Sequence, residues 1–263
     1  MAILYFLNSS DESNSSSEKF KVILSDGQIK KQLHTNKKYE IIQLTQSKYK
    51  FILIHDPNTL NGGIEIRTKF GFNTELIDGF AHYAEHVFLG GTENISAANI
   101  FNFVYQFNEV LDAYTEYEET LFQFLGSNYA FETLLNYVSD FMQIPKLNHT
   151  LLETEINVVT SEVNLSNSTN RIFLEILSQH SNPEHGFYQT ITGHIGNNYT
   201  LGDTTSEVLA IELKNYFRII FNPENCVFLL YSSKSLEDLR NYALKFFDFK
   251  LEEPEQEYNE KFY

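Results

Sequence analysis

Apolar residues recur along this chain in two rhythms, one of two residues and one of three to four, and the switches between them mark out its elements. Residues 39–45 and 49–55 are β-rich runs around a short polar turn at 46–48, which predicts a hairpin. Residues 63–70 set Ile64, Ile66 and Thr68 against Glu65, Arg67 and Lys69, the alternation of a strand with one wet face. A helix is predicted from an N-cap at Asp78 to about Leu89, where Gly90 and Gly91 supply a stop because glycine accepts a left-handed backbone. Residues 97–107 have the spacing of a helix, 109–115 and 120–125 that of paired strands. Residues 131–142 and 151–165 predict helices on either side of a break at Pro145. A helix at 207–221, a continuous apolar strand at 226–231 and an amphipathic helix at 236–247 close the pattern.

Strands that neighbour each other as hairpins, with few regular crossovers, imply an α+β class with a mostly antiparallel sheet flanked by helices. No internal repeat is present. Residues 8–17 are a Ser, Asn, Asp and Glu tract too polar to bury a core, so residues 1–38 are expected to be a flexible leader. Residues 39–250 are then the folded domain and 251–263 an acidic linker. A chain of 263 residues with 42% hydrophobic and 15% aromatic side chains is long enough to bury a large core. Its formal charge of -16 offers no basic stripe for a phosphate backbone, which excludes nucleic acid as a partner. Cys226 is the single cysteine, so an internal disulfide and a thiolate metal cage are both excluded. Any metal must sit on His, Asp or Glu. Residues 2–7 are shorter than a signal peptide's apolar core, and no apolar run approaches bilayer length, so no membrane partner is expected and a cytoplasmic location is the default.

The informative segment is His82-Tyr83-Ala84-Glu85-His86, an H-x-x-E-H pattern. On a helix, residues four apart share a face about one turn from each other, so His82 and His86 can present their nitrogens to one ion, with Glu85 beside them. Hydrolytic zinc sites need that set: neutral imidazoles to hold the metal and an unligated carboxylate to take a proton from its water. Five residues also recur by chance, and the bland reading is a surface helix with two solvated histidines. A third ligand must come from elsewhere. The helix at 151–165 offers Glu153, Glu155 and Glu162; the last two share a face but lie roughly 10 Å apart along the axis, so only one of them can ligate.

Residues 79–94, GFAHYAEHVFLGGTEN, resemble the stretch of the insulinase and pitrilysin family in which a G-x-x-H-x-x-E-H helix precedes an apolar, glycine-ended segment and Thr-Glu. In that family the third ligand lies some 75 residues beyond the motif, in a glutamate-rich helix with an acidic residue seven positions before it. Glu162 stands 76 positions past His86, and Glu155 seven before Glu162. The resemblance implies His82, His86 and Glu162 as zinc ligands, Glu85 as catalytic base and Glu155 as an orienting group. Asp112, Ala113, Tyr114 and Thr115 resemble the family's Asn-Ala-Tyr/Phe-Thr strand, whose backbone accepts peptide substrate as an added strand. Asp112 departs from the usual Asn there, removing an amide donor and adding a charge. Residues 185–202 resemble the loop before the family's later helix, and residues 225–247 its closing strand and helix; the loop at 71–79 is shorter than usual and lacks the family's Asp-Pro.

What the resemblance implies is a zinc metalloendopeptidase domain acting on peptides, with further C-terminal domains of a full-length protease as partners. Complete enzymes of the family form a closed chamber from two halves of two related domains each. This chain matches one such domain, so it is expected to bind zinc but to cleave peptides weakly on its own. The competing expectation is a peptide-binding or structural domain of the same fold without catalysis, and a third is a zinc hydrolase of a non-peptide substrate.

Overall fold

The computed structural model describes residues 19–32, 34–74, 79–106, 110–165, 169–183, 185–189 and 206–254. Its strands are β1 Phe20–Leu24, β2 Lys38–Leu44, β3 Lys50–His55, β4 Asn61–Thr68, β5 Val110–Thr115, β6 Thr120–Ser127 and β7 Cys226–Ser232. They form one seven-stranded sheet in the order β1-β2-β3-β7-β4-β6-β5. Every neighbouring pair is antiparallel except β3 with β7. The helices are α1 Phe80–Leu89, α2 Ala97–Gln106, α3 Phe131–Gln143, α4 His149–Leu165, α5 Thr169–Gln179, α6 Gly186–Gln189, α7 Ser206–Ile220 and α8 Leu236–Phe247. The fold is α+β with a mostly antiparallel sheet, as the alternation of periods implies.

The register explains which face is buried. Ile42, Phe51, Phe228, Ile66, Phe122 and Ala113 fall in one row across six strands. All six side chains are buried, and α1, α3 and α8 pack on the sheet. Since side chains alternate along a strand, the residues between them turn outward. Arg67 uses that outer face to bridge Glu65 at 2.6 Å and Glu119 at 3.0 Å. β7 is apolar along most of its length because it lies between β3 and β4 in mid-sheet.

Phe88 of α1 is the hub of the aromatic core. Its ring centroid lies 4.3 Å from those of Phe122 on β6 and Phe141 on α3, and 6.2 Å from that of Phe221 just past α7. Such edge and tilted ring contacts each add about 0.5–1.5 kcal/mol beyond the area buried. The helix stops where its two glycines lie, and Gly91 carries the positive φ of 104°. A side chain there would also meet Ala97 N at 2.7 Å and Ile95 O at 2.9 Å.

Three features depart from the sequence expectations. Residues 20–24 lie inside the stretch expected to be leader, yet form β1 and pair with β2. Phe-Lys-Val-Ile-Leu shows no clean alternation of buried and exposed positions, so the pairing is legible only through the neighbour's backbone. Helices α5 and α6 were not anticipated. The N-cap of α1 is Gly79, in the left-handed region at φ 83°, and Asp78, expected there, lies outside the described residues. So do residues 190–205, which carry most of the loop expected before α7, and 255–263 of the expected linker.

Glu40 sits on the buried face of β2 at 5% exposure and is held by Arg240 of α8 in a two-pronged pair, Nε to Oε2 at 2.6 Å and Nη2 to Oε1 at 3.0 Å. Removing the guanidinium leaves a desolvated carboxylate unanswered. Arg240→Ala is therefore expected to lower stability by about 1–3 kcal/mol, read as a lower urea midpoint at unchanged m-value.

Candidate metal centre

Helix α1 divides its residues between two duties. Phe80, Ala81, Tyr83, Ala84, Val87 and Phe88 are buried, whereas His82 and His86, one turn apart, line the partly exposed flank. Helix α4 lies against that flank. Leu152 and Val159 are its fully buried contacts, and Glu155 and Glu162 follow each of them by three residues on the same side. Two tyrosines fix the distances. The hydroxyl of Tyr83 donates to Leu152 O of α4 at 2.8 Å, and that of Tyr137 on α3 donates to Phe88 O of α1 at 2.9 Å. Gly90 allows the close approach, since a Cβ there would stand 2.6 Å from the δ-carbons of Leu151.

The consequence is a cluster. His82, His86 and Glu162 each offer one ligand atom, and all three lie within 4.8 Å of one another. Glu162 Oε2 is 3.7 Å from His82 Nε2 and 3.4 Å from His86 Nε2. Ligand atoms arranged tetrahedrally about a zinc ion at roughly 2.0–2.1 Å stand about 3.3–3.5 Å apart. The Glu162 carboxylate stands close to that spacing from both imidazoles, so this donor set fits a divalent ion of the zinc type once the two rings draw in from their wider separation.

Glu155 contacts the other edge of the same ring. The carboxylate of Glu155 accepts from His86 Nδ1 at 3.2 Å, which orients the ring so that Nε2 faces Glu162. One imidazole thus spans the two carboxylates that are two turns apart on α4. Glu153, the third glutamate of this helix, is exposed and pairs instead with His149 at 3.1 Å.

Glu85 completes the site from the buried side. It is 7% exposed, and the hydroxyl of Thr115 on β5 donates to its Oε2 at 2.7 Å. Burial pushes its carboxyl up to about 7, reinforced by the charges of Asp112 and Glu162 and opposed by the Thr115 hydrogen bond and His86. Burial and the neighbouring His86 hold His82 down at about 4, so its ring is neutral at pH 7 and its lone pair free. Burial also pulls on His86, but Glu155, Glu162 and Glu85 outweigh it and hold that ring above its ordinary value. Thr115 belongs to the segment resembling the peptide strand, yet its contact with Glu85 joins residues 30 apart in sequence and has no local signal.

Asp112, Ala113 and Tyr114 lie on β5, at the sheet's edge, where the described partner strand is β6 alone. Ala113 faces the helices, and Asp112 and Tyr114 are exposed on the opposite face. Thr115 carries the strand directly to Glu85. No helix among the described residues is long and apolar enough to cross a membrane.

An H-x-x-E-H helix thus lies over the sheet, and an acidic helix closes the cluster of His82, His86 and Glu162. The profile of Insulinase (Peptidase family M16) matches residues 51–190, more than half of the chain, and the chain belongs to that family. It is 26% identical to the insulin-degrading enzyme of Mus musculus over 230 residues, covering 84% of this chain and 22% of that protein. With the mitochondrial-processing peptidase subunit beta of Saccharomyces cerevisiae it shares 24% identity over 197 residues, 73% of this chain and 40% of that one. The crystal structure of pitrilysin superposes with a TM-score of 0.75 at 22% identity, over 87% of this chain and 24% of that chain. The chain spans about a fifth of the length of the first curated relatives it matches.

Because the Thr115 hydroxyl stabilises the ionised form of Glu85, Thr115→Val is expected to raise the carboxyl further above about 7. The carboxyl would then hold its proton to higher pH, seen as a displaced 13C carboxyl titration in chelator-treated protein. An unmoved titration would mean that the hydroxyl does not govern this group.

Proposed function

We propose that this chain is the catalytic domain of a zinc-dependent endopeptidase in which His82, His86 and Glu162 hold the metal. The observation that carries this reading is the meeting of three ligand atoms within 4.8 Å beside a buried carboxylate. Membership of a peptidase family supports the reaction class, and the names of the relatives support peptides as substrates.

When bound, a zinc ion supplies Lewis acidity to a water and to a peptide carbonyl drawn into the site. The chain's own residues do the rest. Glu85, with its carboxyl at about 7, is matched to neutral pH for taking a proton from the attacking water and returning it to the leaving amine. Thr115 holds that carboxylate in place. Glu155 keeps the Nδ1 proton on His86, so that its Nε2 remains available for ligation. The side of β5 turned away from β6 receives an extended peptide by main-chain hydrogen bonds, and Thr115 at the end of the strand leads it to Glu85. Asp112, Ala113 and Tyr114 are the residues that would line it.

The reading is tested on metal content first. Purified protein is expected to carry one zinc per chain by mass spectrometry of the metal. Glu162→Gln should lose at least about 100-fold in zinc affinity, and Glu155→Gln about 10- to 100-fold. Equal zinc affinity in wild type and Glu162→Gln would remove Glu162 from the ligand set. Glu85→Gln should keep the zinc and abolish peptide cleavage. Absence of zinc from the wild type would favour a peptide-binding domain without catalysis.

A further inference from the structure

Along an antiparallel edge strand, backbone groups point by turns to the partner and to the outside. Glu116 N–H bonds Glu119 O across the hairpin end at 2.8 Å. Counting back by twos, Tyr114 and Asp112 direct their backbone groups to β6, and Thr115, Ala113 and Leu111 direct theirs away from it. One of the outward donors is already taken. The N–H of Ala113 donates to Oδ1 of Asp112 at 3.0 Å, so the exposed carboxylate folds back over the strand's edge.

We infer that Asp112 sets a charge preference on this edge, selecting extended peptides that carry Lys or Arg on the outward face; this rests on the reading of β5 as the strand that holds peptide. A strand pairing with β5 needs the Ala113 N–H as a donor, and the carboxylate must leave before that bond can form. Leaving costs Asp112 a charge-assisted hydrogen bond. Directly opposed side chains of an antiparallel pair share a face about 4.5–5.5 Å apart, so a cation opposite Asp112 replaces what the carboxylate gave up. A neutral residue there replaces nothing. An acidic one meets a like charge and favours the closed arrangement. The hairpin end beyond β5 adds Glu116, Glu118 and Glu119 in the same sense, and Arg67 is already engaged by Glu65 and Glu119.

Fluorescent peptides alternating Val with Lys, Gln or Glu put the varied residue on one face of a strand. Their binding to the 263-residue chain, its Asp112→Ala variant and its Asp112→Asn variant can be followed by anisotropy at about 0.15 M salt, where long-range charge effects are screened. The wild type is expected to rank Lys above Gln by about two- to fivefold, with Glu weakest. In Asp112→Ala the Lys-to-Gln gap should collapse, and the Gln peptide should bind more tightly than it does to wild type because the Ala113 amide is free. Asp112→Asn should lose the ranking as well. The same Lys-to-Gln ratio in all three proteins would overturn the inference while leaving the edge as a peptide site. Failure of every peptide to bind any of them would overturn the edge reading and the inference together.

Discussion

Phe88 occupies the space between the sheet and α3, with rings of Phe122 and Phe141 at 4.3 Å. The two histidines, two and six residues earlier on the same helix, take their position from it. A short helix carrying polar side chains at a solvent-facing flank has little rigidity of its own. Here one side of α1 is embedded in an aromatic core, and that anchoring decides where His82 and His86 can be. The Tyr83 hydroxyl on Leu152 O and the Tyr137 hydroxyl on Phe88 O then set α4 and α3 at fixed distances from α1. Burial keeps the Tyr83 phenol protonated as a donor, helped by the charge of Glu155.

The same packing concentrates negative charge. Glu85, Glu155 and Glu162 converge around His86, and Asp112 stands close enough to raise the carboxyl of Glu85. Three carboxylates around one imidazole repel one another unless a positive charge lies among them. The raised values of His86 and Glu85 supply part of that compensation as bound protons. A divalent ion held by the proposed ligands would supply it more fully and release those protons, which couples metal affinity to pH. Polarity and burial act on the same groups: the desolvation that raises the carboxyl of Glu85 toward neutrality also makes each further charge gathered around His86 costly.

The sheet contributes through its edge. β5 is paired on one side with β6 and brings Thr115 to Glu85, so the strand that could hold a peptide and the carboxylate that could act on it are joined by one hydroxyl. A strand edge with no partner among the described residues is also a hazard, because such an edge can pair with any chain. The fold-back of Asp112 onto Ala113 N–H blunts it without a bulge or a proline.

Most elements were legible from periodicity, because each buries one face and the burial period appears in the residues. Residues 236–247 were expected as a helix and form α8, and the strand and helix limits around residues 110–143 differ from expectation by no more than two positions. The motif placed His82, Glu85 and His86 on one helix, since four-residue spacing is a local property. Local pattern could not find β1, whose five residues do not alternate, nor the insertion of β7 between β3 and β4, which depends on which sheet edges remain open when the chain returns. Spacing alone put Glu155 and Glu162 on one face of their helix but left open which of them could ligate. Only the seating of α4 against α1 turned Glu153 to solvent and set Glu155 and Glu162 on opposite nitrogens of one ring. Sequence determines what a helix can present on each face; the contact between two helices distant in the chain decides what those faces meet.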